Sequence, residues 1–422
     1  ANEIRLLCTI TRTFNHAMSK ERDAMTSGSK TSADAAKDPE NPLFGIFRRI
    51  WPCMTHIAQK FSSYEKITNV LGDFLTDAVS IKGNDGSAMS LLKELSDMSI
   101  NIMGIAANGD EVSAVVPMLG FAREAVDLYG HLADNDVADK ASGIVSTTPT
   151  TSEARQIIER LISLGVSALQ FSIIKANNAG KEQGRGQEPV ETGPEQKTQV
   201  QNKSPDALSG MFSLLTVCVQ RCSLLLIQLP ANPGNDREGE GLFTLSVETA
   251  ASCLHEKEVD VARSSMIFLK TVVELKISLS LDSTAESGSN ATRARLIVPV
   301  VDSAIQRVKN DVFMSLISGA CGAFPREVLD PAASVLFSIL RILPAEEAEA
   351  LSSAALDQKQ FLLGKEAQTV VLTVLGRCTK GIVPSSLLMD CFSDLWQMHQ
   401  GDDAGAIAGG DVIMEFARKY RA

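Results

Sequence analysis

Apolar residues recur along most of this chain with the period of an amphipathic helix. Between Tyr64 and Ile81 they fall at Ile67, Val70, Leu71, Phe74, Leu75, Ala78 and Val79, while Lys66, Asn69, Asp73, Thr76 and Asp77 occupy the other face. Turn and cap residues at 85–90 follow, and Leu91, Leu92, Leu95, Met98, Ile102 and Met103 form the next stripe. The same pattern predicts helices at about 2–20, 43–61, 64–81, 87–106, 111–132, 152–176, 205–228, 241–254, 258–281, 294–320, 326–342, 345–357, 365–380, 384–399 and 405–421. No segment alternates with period two between hairpin turns, so the chain is read as all-α.

Pro42, Pro205, Pro325, Pro344 and Pro384 stand at or near helix starts. Proline fits there because the first-turn N–H has no helical acceptor anyway. Where no insertion intervenes, pairs of helices begin roughly every 40–50 residues, the spacing of HEAT and armadillo repeats. A pair with one apolar face must stack on its neighbours to bury it. The expected architecture is an α-solenoid of HEAT-like antiparallel helix pairs, a curved superhelical array continuous over 1–422. Three long polar stretches interrupt the pattern, with shorter ones at 231–241 and 282–290. Residues 22–41 and 134–151 read as flexible loops. Residues 177–204, built from Gly, Gln, Glu, Lys and Pro with almost no large apolar side chain, read as a disordered insertion.

Composition narrows the function more than the fold. The 422 residues carry 40 Lys and Arg against 51 Asp and Glu, a net charge of −11. That balance argues against nucleic acid as a general partner, since such binding neutralises phosphates with cations. The longest apolar run, Leu214 to Leu229, is interrupted by Gln220, Arg221 and Gln228, so no membrane span is expected. Eight scattered cysteines read as reduced, buried thiols, with Cys218 and Cys222 sharing one helix face. There is no phosphate-cradling glycine loop, nucleophile elbow or zinc spacing. Asp134, Asp136 and Asp139 lack the glycine and terminal glutamate of a calcium loop and read as a solvated acidic loop. The chain is therefore expected to be no enzyme and to hold no cofactor or metal.

Trp51 and Trp396 fall on apolar stripes and are expected in the core. Arg48 and Arg49 form the strongest short basic cluster on a helix, either a solvated face or a contact for an acidic or phosphorylated ligand. Lys66, Asp73 and Asp77, seven and eleven residues apart, lie near one helical stripe. They form either a solvated face or a contact for a basic partner.

Several strings, taken in order, resemble one family. They are Asn41-Pro42 with Ile50-Trp51-Pro52; Pro205-Asp206-Ala207-Leu208 running to Val219-Gln220-Arg221; Val259-Asp260-Val261-Ala262 to Phe268-Leu269; Cys321, Phe324-Pro325 and Ala332 to Leu336; and Leu387 to Phe392. Their order resembles the C-terminal half of the transportin-SR and importin-thirteen branch of the importin-β superfamily of nuclear transport receptors. The resemblance implies stacked HEAT repeats that carry protein cargo through the pore under the Ran GTPase. It also implies contacts with nucleoporins and shuttling between nucleus and cytoplasm. The main Ran site would lie outside this chain. Where the transportin-SR members carry an arginine-rich helix, residues 65–77 here hold one Lys, no Arg and two Asp. Asp73 and Asp77, with Glu94 and Asp97 of the next helix, would suit a basic surface instead. A generic HEAT scaffold or adaptor subunit shares all these features except the family strings.

Overall fold

The computed structural model describes helical residues between 2 and 13, then 42–62, 64–81, 85–108, 114–141, 149–183, 205–231, 241–254, 258–282, 289–318, 324–328 and single positions from 331 to 339. Among the described residues the chain is all-α, with no strand. The helices are α1 (Pro42–Phe61), α2 (Glu65–Val79), α3 (Asp85–Asn108), α4 (Val115–Ala141), α5 (Pro149–Gln183), α6 (Pro205–Arg221), α7 (Ser223–Gln228), α8 (Leu242–Cys253), α9 (Val259–Asp282) and α10 (Ser289–Ser318). A short 3-10 turn, Arg326–Val328, follows. The chain divides into two compact units, Ala1–Asn235 and Asp236–Ala422.

In the first unit each helix packs on its neighbour and on its next-but-one neighbour: α1 on α2 and α3, α2 on α3 and α4, α3 on α4 and α5, α4 on α5 and α6. The predicted stripes supply the contacts. α2 buries Val70, Leu71, Phe74, Leu75, Ala78 and Val79, all at 3% exposure or less. α4 touches α2, α3, α5, α6 and α7, so it is buried on more than one side. Met118, Leu119, Phe121, Ala122, Ala125 and Val126 are all covered. Fully burying one such large side chain contributes roughly 1.5–3 kcal/mol, so apolar burial dominates the stacking. In the second unit α8, α9 and α10 pack on one another and α9 also meets the 3-10 turn.

Gly72 marks a close approach of α2 to α4. The position where its Cβ would stand collides with the Cβ of Pro117 and lies 3.0 Å from that residue's carbonyl oxygen. Proline is tolerated at Pro117 because it sits in the first turn of α4.

Two expected loops are corrected in part. Of 134–151, residues 134–141 continue α4 and 149–151 open α5 at Pro149. Ala133 and Val137 extend the apolar stripe of Val126, which keeps the helix going through the polar run. Of 177–204, residues 177–183 belong to α5. Residues 22–41, 184–204 and the helices predicted beyond 342, with Trp396, lie outside the described residues. The helix predicted over 205–228 is broken at Cys222, whose φ of −144° and ψ of 49° separate α6 from α7. Trp51 is half-buried rather than enclosed.

Candidate partner-binding surface

α1 turns Phe47, Met54 and Ala58 inward, and Phe47 stacks on Phe74 of α2 with ring centroids 5.2 Å apart. Arg48 and Arg49 lie on its exposed side, together with Pro52, Cys53, His56 and Lys60. On α2, Lys66 and Asp73 are exposed. Asp77 is committed elsewhere: Arg12 Nε donates to its Oδ1 at 2.7 Å, and the carboxylate is 13% exposed. That hydrogen bond and charge hold the Arg12 guanidinium above its ordinary pKa. The stripe read from the sequence therefore presents Lys66 and Asp73 outward, whereas Asp77 anchors the N-terminal helical segment on α2. Asp97, on α3, is likewise engaged, accepting from Arg160 of α5 at 2.9 Å.

These pairs belong to a recurring device. Arg221 of α6 donates to Asp127 of α4 at 2.7 Å, and in the second unit Arg307 of α10 donates to Glu248 of α8 at 3.2 Å. Each joins a helix to its next-but-one neighbour across 59 to 94 residues of sequence. Half-exposed pairs of this kind contribute about 0–1 kcal/mol, too little to hold helices together but enough to favour one register. Their partners are invisible to local sequence reading, which sees only isolated charges on solvated faces.

The acidic run at the end of α4 is the largest departure from expectation. Asp134 and Asp136 are both fully buried, not a solvated loop. Asp134 Oδ1 accepts from the amides of Leu224 at 2.8 Å and Leu225 at 3.2 Å. It caps α7 from a different helix, because Cys222 in the N-cap position offers no side-chain bond. Asp136 Oδ2 accepts from Lys140 Nζ at 2.7 Å and from Arg155 of α5 at 3.3 Å. These carboxylates serve the packing of α4 and are not presented to a partner.

Cys8, Cys218, Cys222 and Cys253 are buried as expected, but Cys53 is exposed. Burial, then Asp77 and Asp73, push the Cys8 thiol up to about 11. A hydrogen bond with Cys218, then burial, pushes the Cys222 thiol well up. The thiolate is the nucleophile and must be reached by the reagent, so at pH 7.5 iodoacetamide should modify the exposed Cys53 much faster than the buried Cys8. Peptide-resolved mass spectrometry reads this directly, and comparable rates would contradict the burial. The Cys8 value exceeds its unfolded 9.0. Its contribution to stability is therefore complete below about pH 9 and declines as pH rises toward 11.

Among the described residues no group of three His, Cys, Asp or Glu side chains is placed to hold a metal. No described helix is long and apolar enough to cross a membrane. No family model matches this chain, and no curated protein matches it.

Proposed function

We propose that this chain is part of a nuclear transport receptor, a HEAT-like solenoid that docks protein cargo and is regulated by the Ran GTPase. The observation that carries the solenoid is the packing of α1 to α6, each helix on its neighbour and next-but-one neighbour, with ion pairs spanning the latter. Nearest-neighbour stacking of this kind is what a repeat array requires. The ordered family strings from 41 to 392 support transport over a generic scaffold. Arg48, Arg49, Lys66 and Asp73 are the exposed candidate cargo contacts, and nucleoporins are the further partners that this reading implies. Ran and cargo would favour different curvatures of the array, so that binding one weakens the other.

Affinity capture from nuclear extract with the full-length receptor, with and without GTP-locked Ran, tests this reading. Cargo should be lost when Ran is added. Capture of proteins that Ran never displaces would leave a HEAT scaffold or adaptor and remove the transport assignment.

A further inference from the structure

We infer that the exposed side of α1 is a docking ridge for an acidic peptide segment of a partner protein. α1 contains Arg48, Arg49, His56 and Lys60 and not one Asp or Glu. Every other described helix of eight or more residues carries at least one acid, and the whole chain stands at −11. Arg49, His56 and Lys60 fall within about 40° of one another around the helix and span about 16 Å along its axis. All three are exposed. Among the described residues Arg49, His56 and Lys60 have no ion pair, and Lys60 lies over the neighbouring Phe61 ring, 5.6 Å from its centroid. Elsewhere Arg12, Arg160, Arg221 and Arg307 are taken up by carboxylates of other helices.

The ridge matches about five residues of extended peptide at roughly 3.3 Å each. A short run of Asp and Glu meets the local cations within a screening length of about 8–10 Å. A long phosphate polymer or an anionic membrane meets the acidic remainder of the chain as well. The inference rests on the reading of this chain as a docking scaffold for proteins, not on control by Ran.

Fluorescence anisotropy of fluorescein-labelled octaglutamate with the intact chain tests it. Saturable binding is expected at about 30 mM salt, weakened about tenfold at about 200 mM. Arg49→Glu with Lys60→Glu should weaken it at least about tenfold. The charge-matched control Lys93→Glu with Arg123→Glu, exposed on α3 and α4, should change it less than about twofold. Circular dichroism should be the same for all three proteins, since every site is exposed. Absence of octaglutamate binding, or equal losses in both double variants, would overturn the ridge. Tighter binding of a twelve-residue thymidine oligonucleotide than of octaglutamate would overturn the partner class. Failure of Ran to displace cargo leaves these outcomes unchanged, so the two readings fail separately.

Discussion

Replacing Asp134 with alanine should destabilise the first unit by about 3 kcal/mol, because the contact it removes is buried on both sides. The carboxylate holds two amides of α7, from Leu224 and Leu225, inside a site with no solvent exposure. Alanine removes the acceptor but leaves both donors buried, and each buried donor without a partner costs about 1–3 kcal/mol. Asp134→Asn keeps one acceptor oxygen and should cost about half as much, while adding an amide group that needs acceptors of its own. The measurement is denaturant unfolding of both variants, with hydrogen exchange at Leu224 and Leu225. Those two amides should lose protection first in the alanine variant. Unchanged exchange there would show that α7 does not depend on the cap.

Gly72→Ala should cost about 2 kcal/mol although alanine is the better helix former. The propensity gain is about 1 kcal/mol. Against it stands a Cβ that collides with Pro117 Cβ and approaches its backbone at 3.0 and 3.1 Å. Backbone cannot rotate away as a flexible side chain does, so α2 and α4 must separate, an overpacking penalty of about 1–3 kcal/mol or more. Gly45→Ala on α1 is the internal comparison, because nothing lies within 4 Å of its Cβ position. That variant should be stabilised by about 0.5–1 kcal/mol. Denaturation midpoints of the two variants should thus move in opposite directions. A Gly72→Ala protein at least as stable as the parent would sink the close-packing account.

Helix existence was legible for most of the described chain because the stripe of α2, or that of α6, is a local pattern that needs no distant partner. The end of α4 was misread because five charged or amide side chains in the seven residues 134–140 resemble a loop by composition. Its apolar register at Val126, Ala133 and Val137 was the signal that could have corrected this. The break at Cys222 had no such signal. Leu, Val and Cys run through it, and only Asp134, about ninety residues away, receives the amides that the break exposes. Among the candidate contacts, the exposure of Arg48, Arg49, Lys66 and Asp73 followed from the helical wheel. The engagement of Asp77 by Arg12 and of Asp97 by Arg160 did not, since each pairing crosses more than sixty residues.

Local patterning thus suffices to make the described chain helical, to place most of its helices and to set which face of each is apolar. Those properties arise from residues three and four apart, which the helix brings together whatever else the chain does. Packing between helices settled which charges are exposed and which join helices. It also decided where two helices touch so closely that glycine is required, and why two aspartates are buried. A charge acquires its role from the partner that packing sets beside it, and the 3.6-residue period carries no record of that partner. α1 shows both sides of this: its lack of acids is written in the chain, while the exposure of Arg49, His56 and Lys60 without carboxylate partners among the described residues is a product of the fold.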